Sequence, residues 1–491
     1  MSMEDKMKKS TAKKDREEKE DYHIAISKTS AKASDSYLGG SSNSAFIQNF
    51  KKVAYVALII LTCECVIGSS GRWLELGPLS IRMWLFVLAF LLSVPFVIIR
   101  FKSIIRNPMI IAILIFAIIL LAQLVHGYIK GNNRSFIAAD LTSMAFIAIV
   151  PAYMVIFDDD QKIKSLLKAA SYASMFLVIL TVILHFVFAF IDEYYIAEAS
   201  NITNAMSLGG FFHFGDGIHR LYFRSSICFV LPLIYFYNEV TVHNGEKKKR
   251  PIVPYLFMSL SLMAIILTYT RSIWLGMFVG ILLFIIFNIR RFQALIKSFL
   301  IALAGLLVIV ALSWIAYGFE GVMTNAVDRV LLNRSYQDYQ NSKDKDKKED
   351  LEERQIAVQL DSEKIREERI KLTYGLIEKN LYIGTGLGLV IDDQNGVGEG
   401  KIEYTYLDVL SKIGVTGLLV FLLMLLYPYR HVFMMWRKKG LNQSIQITAS
   451  VMACILIASI YNPFLTSPIG FSMYAVFLAA INAKLKALKD S

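Results

Sequence analysis

An all-α polytopic membrane protein, with about twelve transmembrane helices and a large, partly helical extracytoplasmic loop, is the fold class the chain predicts. Three observations predict it. Of its 491 residues 55% are hydrophobic and only 19% are charged, a balance outside the soluble globular range. The apolar residues gather in runs close to the twenty needed to cross a bilayer. The formal net charge of +12 lies in short clusters between those runs, the signature of cytoplasmic loops and not of a nucleic-acid surface.

Residues 1–50 lack an apolar core, so no cleavable signal peptide is expected. Lysine, glutamate and serine dominate there and read as a disordered cytoplasmic tail, with Lys51 and Lys52 at the membrane edge. Spans follow at about 53–69, 80–99, 108–127, 136–157, 165–190, 225–240, 252–270, 273–289, 296–317, 409–428, 445–461 and 470–484. If the first runs outward, the inner connections carry Arg100, Lys102 and Arg106; Lys162 and Lys164; Lys247 to Arg250; Arg290 and Arg291; Arg430 and Arg437 to Lys439; and Lys484, Lys486 and Lys489. Every inner loop is then basic, and both termini are cytoplasmic. The four cysteines, Cys63, Cys65, Cys228 and Cys454, show no disulfide spacing, and Cys63 and Cys65 point to different helix faces, a poor metal site.

Two outer connections exceed what a compact bundle needs, at about 191–224 and 318–408. The second carries the run KDKDKKEDLEER, a solvated face, and then apolar residues at Ile356, Leu360, Ile365, Ile370, Leu372 and Leu376, spaced for one or two amphipathic helices over the membrane surface. The domain reading is thus a tail over 1–50, nine spans over 51–317, the large loop over 318–408, and three spans with a cytoplasmic C-terminus over 409–491.

The candidate chemistry centres on TYTRSIWLG, residues 268–276, which sets Arg271 between two apolar runs. An arginine meeting lipid is costly, so Arg271 is expected to face a wet, protein-lined cavity and hold an anion; the plainer alternative is an arginine that snorkels to the headgroups. The first outer loop ends FFHFGDGIHRLYFRSS, with Arg220 and Arg224 four apart, so that on a helix they share a face and either clamp one anionic group with Arg271 or form an interfacial belt. Convergent guanidinium forks match phosphate oxygens and suit a pyrophosphate. The glycines Gly384, Gly386 and Gly388 make either a backbone nest for phosphate or an ordinary turn after a helix. Glu403 stands before an embedded helix, as a desolvated base or as a carboxylate favouring the helix dipole. Of the other polar groups within apolar runs, Glu64, Gln123, His126, Asp140 and His185, the bland reading holds for most: Asp140 and His126 flank Lys130 and Arg134 in an ion pair or hydrogen bond, and His185 is a satisfied core histidine. No strand-borne G-x-G-x-x-G, Walker lysine, H-E-x-x-H or nucleophile elbow occurs, and Asp158–Asp160 sit in a loop too short to serve a nucleotide-sugar domain.

TYTRSIWLG between two spans, a large outer loop, then G-x-G-x-G followed by Tyr406, Leu407, Leu410, Gly414 and Gly417 in a Y-L-x-x-L-x-x-x-G-x-x-G run, resembles the O-antigen ligase and polymerase superfamily of bacterial polysaccharide assembly. GPLSIRMWLF, residues 77–86, is also similar to a segment of its polymerase members. The resemblance implies a glycosyltransferase in the cytoplasmic membrane that acts at its outer face on polyprenyl-pyrophosphate-linked oligosaccharides, without metal or cofactor, with membrane lipid around it and a chain-length regulator and flippase of the same pathway as partners. It implies that Arg271, with Arg220 or Arg224, holds the pyrophosphate, that Glu403 acts as base, and that Arg369, Tyr404, Tyr406 and the three glycines contact substrate. The ligases carry histidine then asparagine where this chain has Glu403 and Tyr404, a departure that favours a polymerase. A ligase with another lipid or protein acceptor is the alternative. A flippase or secondary transporter is a second one, against which stands the want of an internal repeat.

Overall fold

The computed structural model describes residues 41–68, 74–76, 79–213, 219–245, 252–317, 367–392, 398–399, 402–438 and 440–490. The expected charge run at 343–354, and the apolar positions Ile356, Leu360 and Ile365, lie outside these residues. The chain divides into two compact units, Met1–Ala54 and Tyr55–Ser491. In the first, the described residues 41–54 are helical; helix α1 runs Ser41–Ile67, so it opens inside the stretch expected to be tail. No proline or glycine interrupts Ser41–Ile67, and helical hydrogen bonding propagates through it once begun.

The second unit is built of apolar helices. After the close of α1 come α2 (Ile81–Ile99), α3 (Pro108–Ile129) and α4 (Arg134–Met144), which continues through a 3-10 turn, Ala145–Ile149, into Val150–Ile156. Next are α5 (Asp160–Phe188), α6 (Glu193–Ala205), α7 (Val230–Gly245), α8 (Ile252–Leu267), α9 (Arg271–Phe287) and α10 (Phe292–Tyr317). Helix α11 covers residues 367–379, followed by α12 (Thr405–Arg437), α13 (Gln443–Ala458) and α14 (Pro468–Asp490). Each of the twelve expected spans falls on a helix. Among the described residues seven helices are long and apolar enough to cross a membrane, and four shorter ones, including α8 and α9, are apolar as well. The chain is an all-α, multi-pass membrane protein. Among the described residues strand is confined to short antiparallel pairs, of which β3 (Gly209–His213) and β4 (His219–Phe223) make the longest, after β1 (Glu75–Leu76) with β2 (Leu79–Ser80) and before β5 (Ile391–Asp392) with β6 (Gly398–Glu399).

Ion pairs and caps sort the helix ends of this unit. Asp158 meets Arg100 Nη1 at 3.2 Å, Lys162 Nζ at 2.6 Å and Lys486 Nζ at 3.9 Å, and Asp160 accepts from Asn442 Nδ2 and Ser444 Oγ, each at 2.7 Å. The last turns of α2 and α14 and the first turns of α5 and α13 therefore share one end. Three of the six basic clusters that charge bias groups on one side, those of Arg100, Lys162 and Lys486, meet round one aspartate. Asp158–Asp160 serve as its ion-pair and capping groups, Asp159 capping α5 through the Lys162 amide. Elsewhere in the bundle Glu64 Oε2 accepts from Arg82 Nε at 2.5 Å with both side chains buried, and the buried His185 is bonded through Nε2 to Ser313 Oγ at 2.6 Å, while its Nδ1 has no hydrogen-bond partner among the described residues, so the satisfied core histidine expected there is satisfied at one nitrogen only.

Candidate active site

Helices α8 and α9 are parted by Thr268–Thr270, where Tyr269 adopts a left-handed backbone, φ 46°, that ends the helical path. Thr270 then takes the extended N-cap conformation and α9 begins at Arg271, which is exposed. Trp274 Nε1 reaches back across the break to Ile265 O at 2.9 Å. Against this break lies Arg220. Its Nε donates to Thr268 O at 2.9 Å and its Nη2 to Thr270 Oγ1 at 3.1 Å, while the guanidinium stands 5.0 Å from the Tyr222 ring and 5.8 Å from that of Phe212. A helix N-terminus with its free amides, one arginine on its first residue and another docked on its cap make a concentrated positive site suited to an anion.

The clamp expected of Arg220 and Arg224 on one helical face is corrected. His219, Leu221 and Phe223 are buried and Arg220 and Tyr222 half-buried, a period of two that makes the segment a strand paired Phe212↔Arg220 with β3. Arg224 falls in the turn beyond it, exposed, its amide donating to Leu208 O at 2.9 Å. Arg220 is thus tied by two hydrogen bonds to the residues just before Arg271.

The second part of the site is the start of α12. Thr405 Oγ1 donates to Asn462 O at 2.8 Å, and Asn462 Nδ2 donates to Ser272 Oγ. Ser272 follows Arg271, and Thr405 lies two residues beyond Glu403, so one asparagine ties the two motifs together. Glu403 and Tyr404 are half-buried there, and the Tyr404 ring lies 6.2 Å from that of Tyr461. Tyr406 is committed elsewhere: its hydroxyl donates to Leu456 O at 2.9 Å and fastens α12 to α13. The segment 459–467 was not among the sequence candidates. Its turn dipeptides, Asn462–Pro463 and Ser467–Pro468 between two apolar runs, are the signal that points to it.

The three glycines and the Y-L run prove to be one unit. Helix α12 breaks at Gly414, φ 69° and ψ −179°, and the loop 381–388 fills the break. Carbonyls freed by it accept from the loop, Ser411 O from the Thr385 amide at 2.8 Å and Lys412 O from the Gly386 amide at 3.0 Å, and the Val415 amide donates to Leu381 O at 2.8 Å. Irregular backbone is tolerated within a membrane protein where protein satisfies it in this way. Gly384, Gly386 and Gly388 have φ of 84°, 88° and 77°. The five amides from Gly384 to Gly388 donate in turn to Asn380 O, Ser411 O, Lys412 O, Gln123 O and Asp140 Oδ2. Of the two sequence readings the geometry is that of the turn, since amides spent inside the chain do not form a nest. A Cβ on Gly386 would stand 2.5 Å from the Gly127 backbone, in a left-handed conformation that itself costs about 1–2 kcal/mol. Gly386→Ala is therefore expected to lower the unfolding temperature and the folded yield, checked by a thermal melt in detergent.

Beneath this loop lies a buried charge cluster. Lys412 Nζ lies 2.8 Å from Asp140 Oδ1 and 2.9 Å from Asp408 Oδ1, with all three side chains no more than 7% exposed. Asp140 Oδ2 accepts from the Gly388 amide, and Asp408 Oδ1 accepts from the Ile402 amide at 3.2 Å, so the cluster holds both the glycine loop and the residue before Glu403. Asp140 was expected to serve beside Lys130 and Arg134; its partner is Lys412, and Lys130 instead donates to Asn380 Oδ1. Asp408 and Lys412 were missed, though an i,i+4 acid and base inside an apolar helix is a readable signal. Arg369 sits half-buried in the first turns of α11. Leu376 of that helix packs with Tyr404 against Leu389, Ile391 and Ile402, which brings α11 beside the start of α12. At its exposed N-terminus Lys371, hydrogen-bonded to Glu367 at 2.8 Å, holds that carboxyl below its usual range.

Residues 256–422 match the family model described as O-antigen ligase. The matched span runs from α8 past the break in α12 and takes in Arg271, Arg369, the three glycines, Glu403, Tyr404, Tyr406, Asp408 and Lys412. No curated protein matches the chain.

Proposed function

We propose, for a chain that belongs to the O-antigen ligase and polymerase superfamily through residues 256–422, a polysaccharide polymerase that joins polyprenyl-pyrophosphate-linked repeat units at the outer face of the bacterial cytoplasmic membrane. Family members act on lipid-linked oligosaccharides in the membrane as glycosyltransferase-like enzymes; the polymerase assignment, the site roles and the orientation with both termini cytoplasmic are our reading. The observation that carries it is the tie from Arg271 and Arg220 to Glu403 by way of Ser272, Asn462 and Thr405.

In this reading Arg271 and Arg220 hold the pyrophosphate of the donor. Glu403 takes the proton of an acceptor hydroxyl on a second lipid-linked unit. The hydroxyl oxygen bonds to the anomeric carbon as its bond to the pyrophosphate oxygen breaks, which inverts that centre, and polyprenyl pyrophosphate leaves. The leaving group is a stable anion, so fixed cations facing the developing charge do most of the work and no metal is invoked. Tyr404 and Arg369 line the way to the acceptor. Glu403 and Tyr404 stand where the ligases carry histidine and asparagine, which favours polymerisation.

The test is transfer by purified protein in detergent with a lipid-pyrophosphate-linked oligosaccharide, products being resolved by gel. A ladder of regularly spaced glycans supports a polymerase; transfer only to an added foreign acceptor makes the chain a ligase, the reading favoured by the matched family's description; no transfer at all leaves a transporter. Within this scheme Asn462→Ala is expected to lower turnover about 10-fold or more while donor affinity holds, because positioning rather than binding is lost. Steady-state kinetics against both substrates checks it.

A further inference from the structure

One side of α5, a helix long and apolar enough to cross a membrane, carries the exposed apolar residues Phe176, Ile183 and Val187 at helical spacing, and the exposed Phe190 follows in the turn just beyond it. That stripe does not stop where α5 ends. Ile191 continues it, Asp192 caps the next helix through the Tyr194 amide at 2.8 Å, and on α6 the exposed apolar residues are Tyr194, Tyr195, Ile202 and Met206. Tyr195, Ile202 and Met206 stand at i, i+7 and i+11, one side of the helix, and Tyr195 is 66% and Ile202 54% exposed. The opposite side, Ile196 and Ser200, is buried, and Ser200 Oγ accepts from the Phe211 amide of β3 at 2.9 Å.

We infer that the exposed face of α6 is a lipid-binding surface that lies in the bilayer interface and seats the β3–β4 hairpin, and with it Arg220, at headgroup depth. Continuity with the exposed apolar side of α5 argues for lipid as the occupant, and tyrosines suit the boundary where a ring is apolar at one end and wet at the other. Glu198 lies on the same side and confines the helix to the headgroup region, since its carboxylate needs water. The helix, EYYIAEASNITNA, has two glutamates and no lysine or arginine, so attachment rests on apolar burial and not on anionic lipid. Phe212, 45% exposed on β3, extends the apolar surface to the guanidinium of Arg220.

The full chain, reconstituted in phosphatidylcholine vesicles with and without nitroxide-labelled lipid, tests this. An environment-sensitive fluorophore is placed on Tyr195→Cys or Ile202→Cys, with Glu193→Cys, an exposed acidic position in the first turn, as reference and the unlabelled parent, whose cysteines are buried or half-buried, as background. Labels at 195 and 202 are expected to lose most of their emission to lipid nitroxide, to resist aqueous dithionite, and to be indifferent to salt and to added anionic lipid. The label at 193 is expected to do the reverse on the first two counts. Equal dithionite reduction at 202 and 193 would overturn the inference, as would shielding of 202 from both quenchers, which would mean that protein covers this face. Two independent positions guard against a variant that fails to fold.

Discussion

Arg271→Ala is expected to fold and insert like the parent and to lose about 10²–10³-fold in transfer rate, the usual loss when one preorganised group facing developing charge is removed. The side chain is exposed at the first position of α9, and the helix is anchored without it, by Ser272 to Asn462 and by Trp274 to Ile265. Removing it therefore leaves the frame and takes away the cation. Arg271→Lys keeps a charge but not a planar fork, so an intermediate rate is expected, because a point charge cannot engage two phosphate oxygens at fixed geometry. Arg220→Ala is a less clean test, since that side chain also holds Thr268 and Thr270 in place. The measurement is single-turnover transfer with the lipid-linked donor, beside a melt that certifies folding. Near-parental turnover in Arg271→Ala would remove the arginine from the proposed chemistry.

Lys412→Met is expected to be the most destabilising of these substitutions, by about 3–5 kcal/mol, the range for breaking a buried pair by removing one partner. Asp140 and Asp408 would be left facing each other without their shared cation in a site that water does not reach. The loss should be felt beyond the cluster, since Asp140 holds the Gly388 amide and Asp408 the Ile402 amide. If charge is the cause, the triple variant Lys412→Met, Asp140→Asn, Asp408→Asn should regain much of the stability, because neutral amides still accept from both backbone groups. Thermal unfolding in detergent, with the single and triple variants side by side, separates the two. A triple variant no better than the single would show that shape and not charge is at stake.

Much of the bundle was legible in the chain because its physics is one-dimensional. A run of apolar residues near bilayer length has one stable form, the helix, since only there does each backbone group find a partner within the segment. All twelve runs are helices, and Arg100, Lys162 and Lys486, grouped by charge bias alone, meet round Asp158. The Arg271 motif and the Y-L run stood out for the same reason, as polar or glycine-marked punctuation between apolar stretches. Local pattern also carried the one error in the arginine pair: four residues apart means one face only on a helix, and the alternation of buried and half-buried residues from His219 to Phe223 makes that segment a strand.

What only the tertiary structure decided is which partners these groups find across the chain. Gly384 to Gly388 could have been a nest or a turn from sequence, and the choice came from Ser411, Lys412, Gln123 and Asp140, which take their amides from remote positions. Asp140 read as a neighbour of Lys130 until Lys412, from another helix, met it. Asn462 carried no mark beyond a turn dipeptide, yet it joins the Arg271 helix to the Glu403 helix. Composition and periodicity set where the chain becomes helix because burial is a property of each segment. Hydrogen-bond and ion-pair partners are properties of two segments at once, and they exist only when the helices have packed.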